Sequence, residues 1–218
     1  MNYIEFDGSS DKVPVGKILC LGRNYSAHAR EMHAEIPESP VIFLKPSTAL
    51  LYEGGKVVIP SCSRNVHHEI EMVVAIGKNG KHVSVDRALD FVSGYAVGLD
   101  MTLRDVQAEA KKKGLPWSVA KGFDTSAPVS RFVHSMKIED PHALEITLRV
   151  NGVVRQHSNT SMMIFRVEEM ISYISSIFTL EAGDLIYTGT PEGVGGVVSG
   201  DQLEAELESV GTLRVSVQ

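Results

Sequence analysis

Cysteine is nearly absent from this 218-residue chain, and two residues, Cys20 and Cys62, make neither a disulfide framework nor a thiolate metal site. That scarcity points to a reducing compartment: the cytoplasm, or in a eukaryote the mitochondrial matrix. Positive charge is also short, with 21 Lys and Arg against 27 Asp and Glu, a formal net charge of −6. Neither nucleic acid nor an anionic membrane is therefore expected as a partner. The one basic run, Lys111-Lys112-Lys113, stands just before Gly114, where cations complement the end of a helix. No apolar run approaches the ~20 residues of a membrane span. The N-terminal stretch carries Glu5, Asp7 and Asp11 and has no apolar core, unlike a secretory signal. Missing too are the Gly-x-Ser-x-Gly elbow of serine hydrolases and the glycine patterns of phosphate and dinucleotide sites.

What is present is an ordinary globular composition, 43% hydrophobic and 22% charged, in which strand signals dominate. Ile18 to Leu21, Val41 to Leu44, Val57 to Ile59 and Glu69 to Ile76 are short β-prone runs bounded by Gly, Pro or Ser. Leu144 to Val150, Asn151-Gly152 and Val153 to His157 spell a hairpin, because Asn-Gly suits a type I′ turn. Alternation at Leu203, Ala205, Leu207 and at Leu213, Val215, Val217 predicts a closing antiparallel pair. Helices are fewer: Tyr25 to His33, Leu103 to Lys113 and Val167 to Ile177, the last with apolar residues at helical spacing. The expectation is a mainly β fold with a few helices (α+β). Residues 1–16 form a short N-terminal segment, and 17–218 a single domain.

Glu69 and Glu71 lie two apart in a run that reads as one strand, so their side chains share a face, roughly 6.6 Å apart along the backbone. Two such carboxylates, half-buried in an apolar strand, need a cation, a proton or a basic partner. A wet strand face satisfies them as well as a bound ion does, on this window alone. Asp100 tips the balance. It ends a second apolar run, and the neighbouring helix start already has a cap candidate in Thr102, with Asp105 three residues on. Three carboxylates with no cysteine and no clear His-x-x-x-His spacing favour Mg²⁺ or Mn²⁺ over zinc.

His28 and Glu31 are three apart on the first helix and share a face. A glutamate beside an imidazole makes a water-activating base, although without context an ordinary solvated helix face is the better explanation of the pair. Lys121, among small and aromatic residues, could neutralise a substrate carboxylate or polarise a carbonyl, or simply snorkel from a loop. Gln107 would face the metal region if its helix packs over it. The loop from Thr188 to Gly196 permits close backbone approach to a ligand, and tight turns would explain it almost as well.

These segments together resemble the fumarylacetoacetate hydrolase family along nearly the whole chain. The residues carrying the resemblance are Gly22-Arg23-Asn24-Tyr25 with His28 and Glu31, Phe43-Leu44-Lys45-Pro46, and His67-His68-Glu69-Ile70-Glu71. Leu99-Asp100-Met101-Thr102, Arg104 to Gln107, Lys112 to Trp117 with Ala120-Lys121, and Thr188-Gly189-Thr190-Pro191 complete it. The compact acylpyruvase and oxaloacetate decarboxylase branch is the most similar. The resemblance implies a twisted mixed-β roll, a homodimer, and a small β-diketo or β-keto acid substrate. It implies Glu69, Glu71 and Asp100 as Mg²⁺ ligands, and His28 with Glu31 as a water-activating dyad on a lid. Lys121, Gln107, Arg23 and Thr190 are implied at the substrate. The expected reaction is hydrolysis of the carbon–carbon bond of 3-acylpyruvates. Oxaloacetate decarboxylation or keto–enol tautomerisation in the same cage is the alternative, and a non-catalytic cation-binding β domain is a third reading.

Overall fold

The computed structural model describes residues 2–10 and 12–218; Met1 and Asp11, the latter one of the acidic residues near the N-terminus, lie outside them. A six-stranded mixed sheet organises the molecule, in the order Val133–His134, Val92–Leu99, Ile70–Ile76, Leu185–Tyr187, Ile18–Gly22, Val41–Lys45. Leu185–Tyr187 runs parallel to Ile18–Gly22 and antiparallel to Ile70–Ile76. Every residue of Ile70–Ile76 is buried, which explains its continuous apolar sequence: both faces of the sheet are covered. Alternate residues enter separate cores. Leu19, Leu21, Met72 and Val74 pack on one side, and Ile18, Cys20, Val73 and Ala75 on the other.

A five-stranded sheet faces the first of these cores, ordered Val153–Asn159, Glu145–Val150, Gln202–Leu207, Gly211–Val217, Lys56–Val57. Its strands alternate buried and exposed residues, as a sheet with one wet face requires. The expected hairpin is formed, with Asn151 at φ 52° and Gly152 at φ 78°. Over the run predicted from Val57 to Ile59 the regular strand ends at Val57 and Val58 is exposed, but the Ile59 N–H still donates to the Gln218 carbonyl at 2.9 Å.

Among the described residues four α-helices fill the gaps: α1 (Ser26–Glu31), α2 (Arg104–Lys112), α3 (Ser118–Lys121) and α4 (Val167–Ile177). Helix α2 stops before Gly114, at φ 64°, and α4 buries Val167, Met170, Ile171 and Ile174 as its spacing requires. Among the described residues no helix is long and apolar enough to cross a membrane. The N-terminal hairpin, Tyr3–Glu5 with Lys12–Pro14, is pinned to the body: Ile4 and Phe6 are buried, and Phe6 bridges Phe132.

A small sheet, ordered Thr102–Leu103, Val66–His68, Gly195–Val197, positions the site and corrects two expectations. Glu69 is not inside a strand. It occupies the junction where the chain leaves the small sheet at His68 and enters the large one at Ile70. Thr102 does not cap α2 either: it pairs with His67, and Leu103 takes the position before the helix. Its hydroxyl is recruited by the acidic cluster instead of by the helix end.

Candidate active site and metal centre

Glu69, Glu71 and Asp100 converge from the junction, the strand after it and the end of Val92–Leu99, and all three are buried. One oxygen from each lies within 4.8 Å of the others. Oxygens bound to one Mg²⁺, Mn²⁺ or Ca²⁺ at about 2.0–2.6 Å are at most about 4–5 Å apart, so the trio fits a single hard divalent cation. An all-carboxylate donor set points to the same class of ion.

Buried carboxylates survive because cations meet them. Lys121 Nζ lies 2.8 Å from Glu69 Oε2 and 2.5 Å from Asp100 Oδ2, and donates to Thr102 Oγ1 at 2.7 Å. Arg104 holds the other oxygen of Glu69. Lys45, fully buried, approaches Asp100 Oδ1 at 2.8 Å and donates to the backbone carbonyls of Met101, Lys121 and Ser126. Glu71 has no such partner; its Oε2 accepts the Gly189 N–H at 2.8 Å. The carboxyls accordingly diverge. Burial would raise Glu69, but Lys121 and Arg104 hold it well below the usual range. Burial, then Asp100 and Glu69, push Glu71 well above it. Glu71 is thus the ligand that most needs a cation or a proton.

Gly189 makes that cradle possible, since its φ is 94° and a Cβ there would stand 2.6 Å from the Asn24 Cβ. Asn24 ties the neighbouring loops together, accepting the Phe165 N–H at 2.7 Å and donating to the Thr188 carbonyl at 2.8 Å. Gln156 accepts the Ile70 N–H at 3.1 Å and donates to Thr190 Oγ1 at 2.8 Å, while His68 Nδ1 lies 3.0 Å from its Oε1.

Across the cleft, α1 presents His28, whose Nδ1 is 3.4 Å from Glu31 Oε2. The Glu31 carboxylate in turn accepts the Gly193 N–H at 3.1 and 3.2 Å, so α1 is docked on the glycine loop through the dyad itself. Arg23, just before α1, sits at φ 61°, a left-handed conformation costing a non-glycine residue about 1–2 kcal/mol. The cleft, partly open to solvent, has a cavity volume of about 40 Å³ and is lined by Arg23, His28, Glu69, Glu71, Gln107, Lys121 and Thr190, among others. Seven of the nine residues singled out in the sequence line this cleft; Asp100 joins it through the carboxylate trio and Glu31 through its contact with His28.

Several residues with evident work here were assigned no role from the sequence. Lys45 and Arg104 supply two of the three cations of the cluster, and Arg104 also donates to Gln107 at 2.8 Å. The available signal was a lysine closing the apolar run Val41 to Leu44. Lys111 also borders the cleft, with its ammonium 5.1 Å from the centre of the Trp117 ring, so the helix-end reading of the lysine run is incomplete.

The model of the family described as fumarylacetoacetate (FAA) hydrolase C-terminal matches residues 17–218. The chain belongs to the fumarylacetoacetate hydrolase family. Among the curated members it is 53% identical over 201 residues to "oxaloacetate tautomerase FAHD1, mitochondrial" of Rattus norvegicus, covering 92% of this chain and 91% of that one. Fumarylpyruvate hydrolase from Pseudomonas aeruginosa, solved with Mn²⁺ and pyruvate, superposes with a TM-score of 0.96 at 41% identity, over 99% of this chain and 95% of that one. The 2-hydroxyhepta-2,4-diene-1,7-dioate isomerase from Mycobacterium marinum superposes with a TM-score of 0.83 at 39% identity, over 93% and 74%. The mainly β, mixed-sheet architecture is that of these fumarylacetoacetate hydrolase family structures. The chain is an enzyme of the family, and its acidic trio is a divalent-metal site.

Proposed function

We propose that this enzyme hydrolyses the carbon–carbon bond of 3-acylpyruvates, giving pyruvate and a carboxylic acid, with Mg²⁺ as the resident ion and Mn²⁺ able to replace it. The observation that carries the reading is a histidine–glutamate pair facing a buried carboxylate trio across one cleft. Glu69, Glu71 and Asp100 would hold the ion, which when bound supplies Lewis acidity at the 2-oxo group of the substrate. Lys121, Gln107, Arg23 and Thr190 would hold the substrate's oxygens. Every Lys121 proton is engaged with Glu69, Asp100 and Thr102, so contact with substrate requires Lys121 to exchange one of them.

His28, oriented by Glu31, takes a proton from water as the hydroxide adds to the distal acyl carbonyl. The carbon–carbon bond breaks, its electron pair passes to the pyruvate fragment as an enolate, and His28 returns the proton to that carbon. The cleft holds little more than an ion or a few waters, so α1 has to swing away for substrate to enter and close behind it.

A second reading has its own support, in the 53% identical relative named as an oxaloacetate tautomerase. In that case His28 would only carry the C3 proton of oxaloacetate, with no water consumed. Loss of CO₂ from oxaloacetate would leave the same enolate. We place the catalytic domain at residues 17–218, with 1–16 as an added hairpin, and propose a homodimer, which sedimentation would test.

The decisive experiment compares acetylpyruvate and oxaloacetate, with Mg²⁺, with chelator, and with His28→Ala. Acetylpyruvate cleavage lost on chelation and in His28→Ala supports the hydrolase. Oxaloacetate tautomerised or decarboxylated, with acetylpyruvate untouched, replaces it by the second reading. Turnover of neither substrate with metal present overturns both.

A further inference from the structure

The cations of the cleft outnumber its carboxylates. Lys45, Lys121 and Arg104 are matched by Glu69 and Asp100, with Glu71 beside them. Lys111 and Arg23 remain, and among the described residues neither has a carboxylate within 4.0 Å. Lys113, two residues on, behaves as a surface lysine should and pairs with Glu109 at 2.8 Å.

Lys111 is exposed to solvent, yet its ammonium lies over the Trp117 ring and the side chain lines the cleft. Partial burial and the charges of Arg104, Arg23 and Lys121 pull its pKa below that of an ordinary lysine. A cation left beside three others, with a resident divalent ion adding further positive charge, is unfavourable unless an anion arrives. The ion would take the 2-oxo carboxylate end of a substrate. Lys111 and Arg23 line the same cleft and keep part of their surface in solvent, free to meet the other end.

We propose that Lys111, with Arg23, forms a subsite for a second carboxylate at the end of the substrate remote from the metal, so that the preferred substrates are 2-oxo dicarboxylates. This rests on the proposed function in placing the 2-oxo acid on the acidic trio. Trp117 fixes the ammonium by a cation–π contact and lends the subsite an apolar wall. Lys111 is a specificity residue here and touches no reacting atom.

The test pairs kinetics with binding. The ratio of kcat/KM for oxaloacetate to that for acetylpyruvate is measured in the wild type, Lys111→Gln and Lys111→Arg. In parallel, 2-oxoglutarate and its one-carboxylate counterpart 2-oxopentanoate are titrated calorimetrically into the Mg²⁺-loaded proteins. We expect Lys111→Gln to lower the kinetic ratio by about fivefold, through KM, and Lys111→Arg to restore it. The binding preference for 2-oxoglutarate should fall by a similar factor and weaken with added salt. If neither substrate is turned over but the binding preference exists and Lys111→Gln removes it, the functional reading fails and the subsite stands. A binding preference equal in wild type and Lys111→Gln, or no binding of either acid, overturns the subsite.

Discussion

Lys45 shows what a single residue does in this site. It is buried against Asp100 and three carbonyls. Lys45→Met leaves Asp100 buried with Lys121 as its only cation, and should destabilise the metal-free protein by about 3–5 kcal/mol. Urea midpoints of the two proteins measure this, and added Mg²⁺ should recover part of the loss. Glu71 makes a prediction with a definite sign. Its pKa is raised by burial, Asp100 and Glu69, so the folded metal-free protein holds a proton there that the unfolded chain loses above the usual carboxylate pKa. Stability from Glu71 is therefore present at low pH and lost as pH rises through the raised folded pKa. Glu69, with its pKa lowered, acts in the opposite sense and loses its contribution as the medium becomes strongly acidic. The rise in Tm on adding Mg²⁺ should accordingly grow with pH from about 5 to 8, as ion and proton compete for Glu71, and Glu71→Gln should flatten that growth. A Tm gain independent of pH in the wild type would contradict the assignment.

At the scale of elements, the site is made by two junctions and one loop. The passage from Val66–His68 to Ile70–Ile76 turns Glu69 into the cluster, and the end of Val92–Leu99 delivers Asp100. The loop after Leu185–Tyr187 contributes backbone N–H groups to Glu71 at Gly189 and to Glu31 at Gly193. These two glycines act on different halves of the chemistry. Gly193 has φ 91°, and a Cβ there would stand 2.2 Å from the Arg155 carbonyl oxygen. Gly193→Ala should displace the loop from Glu31, lowering kcat while leaving Mg²⁺ affinity within about twofold. Gly189→Ala should instead weaken Mg²⁺ binding, because it disturbs the N–H that orients Glu71. Calorimetric Mg²⁺ titration beside steady-state kinetics separates the two, and the same profile in both variants would refute the division.

For the whole molecule, the acidic trio is assembled only when Ile70–Ile76 and Val92–Leu99 are paired in the central sheet, so an ion that binds the folded form alone should stabilise the fold. With Mg²⁺ at about a hundred times its Kd, the linkage is about 2.7 kcal/mol, or roughly 5–10 °C in Tm for a domain of this size. A chelator should reverse the gain without unfolding the protein, since Lys45, Lys121 and Arg104 already meet much of the negative charge. Unfolding on chelation at room temperature would instead indicate a structural ion.

Short-range pattern determined much of this protein. The hairpin at Asn151-Gly152, the end of α2 at Gly114, the helical spacing of α4 and the alternating closing strands follow from neighbours within a few residues. The chemical character of Glu69, Glu71 and Asp100 was legible for a related reason: charges set into apolar runs demand a partner wherever the run goes. The identity of that partner was not legible. Lys45, Asp100 and Lys121 meet only when the large sheet, the small sheet and α3 have packed together. Tertiary structure also decided that Thr102 serves the cluster rather than the helix, that Glu69 lies at a junction, and that Lys111 lies over Trp117 while Lys113 pairs with Glu109. Local preferences for these residues differ by about 1 kcal/mol. Leaving a buried charge unpaired costs several times as much, and avoiding that cost settles Glu69 and Thr102 around Lys121, while Lys111 is held by the Trp117 ring.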